Sequence, residues 1–143
     1  MIAEAFLDTN VLLYAYDSRT PEKQAVAQRL LVSALRARDA VISVQVLGEF
    51  YVNATRKIAQ PITPEVARTA IDALRQLPCV AIDGPMVADA VASAIRFQLS
   101  YWDALIIASA RRAGCSRIYS EDLSANQDYD GVTVINPFAA DHE

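Results

Sequence analysis

Short β-type runs alternate with longer helical patterns along this chain, and that alternation confines it to a narrow set of folds. The β-type runs are Ala3 to Leu7, Val41 to Ser43, Val80 to Ile82, Arg117 to Tyr119 and Val132 to Ile135. Strands separated by helices pair in parallel, and the helices then cover both faces of the sheet. The expectation is an α/β fold.

The helix signals between the strands are local and physical. Thr20-Pro21-Glu22 and Thr63-Pro64-Glu65 each supply a cap, a proline at the first helical position and an acid in the first turn. They start helices that run towards Arg38 and Leu77. Gly84-Pro85 opens another that continues to about Gln98. Ser100 to Ala113 forms one more, closed by Arg111, Arg112 and Gly114. Leu105, Ile106, Ile107 and several alanines occupy most sides of that last helix, so burial is expected. No repeat, low-complexity segment or linker interrupts the pattern.

At 143 residues, 53% of them apolar, the chain reads as one domain over residues 1–143 whose core needs no disulfide or structural metal. Cys79 and Cys115 have no CxxC spacing and are expected to be buried thiols in a reducing, intracellular setting. No apolar run reaches the roughly 20 residues that span a bilayer, and Met1 to Phe6 lacks the basic flank of a signal peptide. A soluble cytoplasmic protein with no membrane partner is expected. His142 is the only histidine and lies one residue from the end. Ser-His-Asp triads, Cys-His pairs and histidine-pair zinc sites are therefore poor candidates.

In an open parallel sheet, ligands bind beyond the carboxyl ends of the strands, so strand-end acids carry the most information. Asp8 follows the first strand in "FLDTNVLLYAYD", and Asp122 follows the fourth in "IYSEDLS". Asp103 sits in the first turn of the helix "LSYWDALIIASA". Glu49 lies in "SVQVLGEFYVNATRK", just past the second strand, with Gln45, Glu49 and Asn53 four apart on one polar stripe.

Each acid also has a structural explanation. Asp8 is equally suited to capping the helix after it, and Asp103 stands in a capping-box spacing from Ser100. Glu49 fits a solvated helix face, and Asp122 a turn. Their conjunction is more informative than any one of them. An unpaired carboxylate beside Tyr101 and Trp102 at a buried helix start would be penalised by desolvation. A magnesium or manganese ion, which prefers oxygen ligands, would relieve repulsion among clustered carboxylates and activate water. Asp83, followed at once by Gly-Pro, reads as a structural turn residue. Glu121 could be a peripheral ligand, and Asp17, Asp128 and Asp130 read as loop residues.

With those residues in place, the chain resembles the PIN-domain nucleases, most closely the VapC-type toxins of prokaryotic toxin-antitoxin pairs. The ordered set Asp8-Thr9-Asn10, Glu49, Tyr101-Trp102-Asp103-Ala104 and Ser120-Glu121-Asp122 carries the resemblance, with the ending "VTVINPF". It implies a Rossmann-like three-layer α/β/α fold with a central, mainly parallel sheet. It further implies a metal-dependent endoribonuclease, commonly a homodimer, held inactive by a small antitoxin that covers the site. The acids matching Asp8, Glu49, Asp103 and Asp122 would form the Mg²⁺ or Mn²⁺ site. Thr9 matches a motif hydroxyl near it, Asn10 a residue that orders the loop, and Ser120 the small hydroxyl residue of the last motif. Hydrolysis of RNA by external water would leave a 5′-phosphate and a 3′-hydroxyl.

The net charge of −4 taken alone argues against a phosphate-binding surface. The clustered acids contribute to it, and bound cations would offset them locally. Arg19, Lys23, Arg56 and Lys57 follow the first two motif segments and could flank an RNA groove, although each is equally explained as a solvated helix residue. The rival reading is a catalytically inactive PIN-like RNA-binding or scaffold module, because fold does not imply function. Phosphotransfer folds also place an aspartate beyond a parallel strand. The phosphatase type wants a second Asp where Asn10 stands, and the receiver type a late lysine, whereas no lysine follows Lys57.

Overall fold

In the computed structural model, residues 5–139 are described. The strand expectation at Ala3 and Glu4, and His142, lie outside them. Among the described residues the strands are β1 (Ala5–Leu7), β2 (Ala40–Ser43), β3 (Cys79–Val80), β4 (Arg117–Tyr119), β5 (Asp128–Tyr129) and β6 (Val132–Ile135). They form one sheet in the order β3-β2-β1-β4-β6-β5. Every neighbouring pair is parallel except β5 with β6. From β1 the chain builds outward through β2 and β3, then returns to set β4 on the other side of β1. The strand order therefore reverses between β1 and β4, which opens a crevice beyond their carboxyl ends.

The helices are α1 (Thr9–Tyr14), α2 (Pro21–Ala37), α3 (Val44–Arg56), α4 (Pro64–Leu74), α5 (Gly84–Phe97) and α6 (Tyr101–Arg112). α6 lies against β2, β4 and β6 with α5 packed on it, while α1 packs on α2 and α3, and α4 packs on α3. The result is the three-layer α/β/α arrangement. β1 and β2 are buried along their whole lengths, as strands covered on both faces must be. Phe6 pairs in register with Val41 on one side and Ile118 on the other, and Phe6 and Ile118 are fully enclosed. Truncating such an aromatic to alanine costs about 3–5 kcal/mol. α6 is buried without a break from Ala104 to Ala110, as its apolar sequence predicts.

Several local expectations are corrected. β3 covers Cys79–Val80 rather than Val80 to Ile82, because its partner β2 ends at Ser43, whose side chain turns away to cap α3. With no strand beyond Ser43, nothing remains for Ile82 to pair with. α4 stops at Leu74, and a turn brings Leu77 back into the core ahead of Pro78. Thr63 caps α4 by accepting the Val66 amide, whereas Thr20 makes no cap bond to α2 and its Oγ1 is buried without a partner. Asp128, expected in a loop, belongs instead to β5. Asp130 (φ 56°) and Gly131 (φ 95°) both take the left-handed conformation that closes a tight hairpin between β5 and β6. The Asp128 carboxylate accepts the Gly131 amide. Cys115 is buried as expected, but Cys79 on the edge strand is exposed. No helix among the described residues is long and apolar enough to cross a membrane.

Candidate functional site

The crevice at the strand-order reversal is where the sequence-predicted acids meet. Asp8 leaves the end of β1 and caps α1: Oδ1 accepts the Thr9 amide at 2.7 Å, while Oδ2 accepts the Ser120 hydroxyl at 2.8 Å. It is only 6% exposed. Burial raises its carboxyl to about 6, an effect partly offset by the bonds from Ser120 and Thr9 and reinforced by the charges of Asp122 and Glu49. A residue needed only as a cap would not have to be this deeply desolvated among other acids.

Glu49 reaches in from α3. Its Oε1 accepts the Thr9 hydroxyl at 2.7 Å and its Oε2 accepts the Gln45 amide at 3.0 Å. Gln45 donates as well to the Trp102 carbonyl, so α3 is tied to the start of α6. The other amide atom of Gln45, Oε1, is a buried acceptor without a partner. Asp103 follows from Ser100, whose hydroxyl caps α6 by accepting the Asp103 amide at 3.1 Å. Burial is the main cause that holds the Asp103 carboxyl above its ordinary value, with Asp122 and Glu49 adding repulsion. Trp102, which lines the same cavity, is itself 61% exposed.

The loop after β4 completes the crevice. Ser120 is fully buried; besides donating to Asp8, it accepts the amides of Asp122 and Leu123. Asn10 joins the same loop to α1. Its Nδ2 lies 3.2 Å from Asp8 Oδ2 and 3.2 Å from Asp122 Oδ2, and its Oδ1 accepts the Glu121 amide at 3.0 Å. Asp8, Glu49, Asp103 and Asp122 line one cavity of about 220 Å³, together with Thr9, Gln45 and Asn53. Among the described residues no lysine, arginine or histidine lines it. A larger concavity of about 680 Å³ follows α2, but its lining comes from that one helix and contains no acid. Convergent chemistry, not size, picks the smaller cavity.

The remaining acids serve elsewhere. Glu121 turns away from the crevice, accepting the Tyr14 hydroxyl at 2.6 Å and pairing with Lys23. Lys23 is thereby committed to Glu121 rather than to the RNA groove suggested for it, and it lies over the Tyr14 ring. Asp83 caps α5 through the Met86 amide and pairs with Arg112, the structural place expected of it. Asp130 pairs with Arg96.

Among the described residues the donor set suits a hard divalent cation: carboxylate oxygens from four segments, a spare buried amide oxygen and no thiolate or imidazole. Among the described residues the acids are not gathered into a ready-made cage of three or more ligands. Their hydrogen bonds explain the spacing, because Asp8 is drawn to Thr9 and Ser120 while Glu49 is drawn to Thr9 and Gln45.

The model of the PIN domain family matches residues 5–127. This chain belongs to the PIN-domain family. Three solved structures share its fold. VapC20 from Mycobacterium tuberculosis, described as a Sarcin-Ricin loop cleaving toxin, is 22% identical with a TM-score of 0.64, covering 83% of this chain and 90% of its own. A toxin-antitoxin complex from Klebsiella pneumoniae contains a chain 21% identical, with a TM-score of 0.67 and coverage of 94% and 98%. FitAB bound to an IR36 DNA fragment gives 18% identity and a TM-score of 0.69, with coverage of 96% and 98%. A search of curated proteins finds no significant match.

Proposed function

We propose that this PIN domain is a divalent-metal-dependent endoribonuclease, the toxin of a toxin-antitoxin pair. The observation that carries the reading is the meeting of Asp8, Glu49, Asp103 and Asp122, from four separate segments, in one crevice at the switch point of the sheet. The nature of the fold relatives supports it, since one is described as a cleaving toxin and another belongs to a toxin-antitoxin complex.

Asp8, Glu49 and Asp103 would hold Mg²⁺, or Mn²⁺ in its place, with Asp122 assisting. A divalent ion bound there supplies activation of water and neutralisation of charge building on a phosphodiester. The protein's part is to hold the carboxylates ready. Thr9 fixes Glu49, Ser120 fixes Asp8, and Asn10 spans Asp8 and Asp122. Among the described residues no histidine lines the crevice, which argues against a histidine-driven attack by the ribose 2′-hydroxyl, and the carboxylates would serve as ligands of the ion. External water is then the nucleophile, and each cut leaves a 5′-phosphate and a 3′-hydroxyl.

Arg19, Arg56 and Lys57 are exposed and remain available to RNA phosphates, whereas Lys23 is taken by Glu121. The same reading gives a cytoplasmic protein, a small antitoxin as partner and a homodimer. Val87, Val91 and Ile95, spaced four apart on α5 and exposed, offer an apolar stripe to a protein partner. The test is incubation of the purified protein with a pool of structured RNAs in Mg²⁺, Mn²⁺ or EDTA, followed by mapping of the product ends. Metal-dependent cuts bearing 5′-phosphates support the reading. RNA binding without any cut in either metal would leave an inactive binding module in its place.

A further inference from the structure

A second cavity of about 180 Å³ adjoins the acid-lined crevice and shares Asn10, Leu13 and Asp122 with it, so a chain lying across the crevice passes directly over this opening. Its own lining is Tyr14, Asp17, Ile58 and Glu121. Leu13 and Ile58 supply apolar walls from α1 and from the chain just beyond α3, where the Ile58 amide is anchored to the Asn53 carbonyl. No lysine or arginine is among the lining residues, and the ammonium of Lys23 nearby is already engaged by Glu121 and Tyr14. A phosphate would meet the three carboxylates of Asp17, Glu121 and Asp122 here, with no lining cation to offset them. A planar heterocycle with N–H donors on its edge would meet apolar walls and acceptors.

The acceptors are not equivalent. Both oxygens of Glu121 are occupied, one by the Tyr14 hydroxyl and the other by Lys23. Asp17 is different: its Oδ1 accepts the Arg19 amide at 3.0 Å, which fixes the carboxylate, and its Oδ2 has no bond from any described residue. Guanine alone among the four RNA bases presents two adjacent N–H donors, N1 and N2, on its Watson–Crick edge, the pattern a fixed carboxylate accepts side by side. That edge is available only when the base is unpaired and unstacked.

We propose that this cavity receives one unstacked guanine beside the scissile bond, with Asp17 as the residue that reads it; the proposal rests on the ribonuclease reading above. The site thereby selects single-stranded loops carrying guanine at one fixed position from the cut. Arg19, exposed next to Asp17, is placed to meet a neighbouring phosphate.

The test is cleavage of an RNA hairpin library with a randomised loop, in Mg²⁺ and in Mn²⁺, with every cut site sequenced. The wild type should show guanine enriched about tenfold or more at one position beside the cut, as one good two-point base contact provides. Asp17→Asn should level that preference. Inosine at the position, lacking the N2 amine, should be cut more slowly by the wild type, while 7-deazaguanine, altered only on the other edge, should be cut normally. Metal-dependent cutting without positional preference, a preference that survives Asp17→Asn, or inosine cut as fast as guanosine would overturn the subsite and leave the nuclease standing. Failure of the wild type to cut any RNA would remove both.

Discussion

The hydroxyl of Ser120 donates to Asp8 Oδ2 across 2.8 Å, joining the ends of β4 and β1 inside a fully buried contact. The same oxygen accepts two amides of the 120–123 loop. Ser120→Ala would remove the shorter of the two side-chain bonds to Asp8, leaving that from Asn10, and would leave those amides without their acceptor. Unpaired buried polar groups cost about 1–3 kcal/mol. Denaturant melts of the variant should show a loss of that size, and any RNA-cleaving activity should fall with it because Asp8 is held less firmly, by Thr9 and Asn10 alone.

Asp8 makes stability depend on pH in an unusual direction. Its carboxyl is raised to about 6 in the fold, mainly by burial, against an ordinary value near 3.8. Between those values the folded chain keeps a proton that the unfolded chain has lost, so this group favours folding at low pH and opposes it as pH rises through 6. The penalty at pH 7 is about 2–3 kcal/mol. Asp103, also raised, acts in the same sense, while Asp83 and Glu121, held low by their cationic partners and hydrogen bonds, act oppositely. The difference between wild type and Asp8→Asn isolates the term. In metal-free buffer the variant should melt higher than wild type at pH 7.5, and the gap should close towards pH 4.5.

Lys23, Glu121 and Tyr14 brace the loop that carries Asp122 from the side away from the crevice. Glu121→Gln should weaken Mn²⁺ binding about tenfold, the usual cost of removing a group that orients a ligand. Calorimetric titration with Mn²⁺ reads this directly. Combining the change with Lys23→Met should cost no more than Glu121→Gln alone, because the two act as one unit.

The parts of the fold legible in sequence were those governed by local chemistry. Pro-acid helix starts, the apolar α6 and the runs at β4 and β6 each advertise themselves within a few residues. What escaped was set by partners distant in the chain. β3 is cut short because β2 ends at Ser43, and no feature around Val80 to Ile82 reports that. β5 was readable, since Asp130-Gly131 is a hairpin signal, but two residues of strand are too short to show an alternating pattern. At the site, residue types and strand-end positions were enough to nominate the four acids. The pairing of Lys23 with Glu121 was not legible, because 98 residues separate them. Nor was the exposure of Trp102, which depends on where α6 meets α3.

Under the proposed function Asp8 is a metal ligand as well as a helix cap. The most direct measurement is Mn²⁺ binding by calorimetry and RNA cleavage on the same preparations of wild type and Asp8→Asn, with thermal melts confirming that both are folded. Wild type should bind Mn²⁺ and cut, and the folded, metal-free-stabilised variant should bind the ion at least tenfold more weakly and lose cleavage. A folded variant that binds Mn²⁺ and cuts as well as wild type would contradict that role, and would reduce Asp8 to the cap of α1.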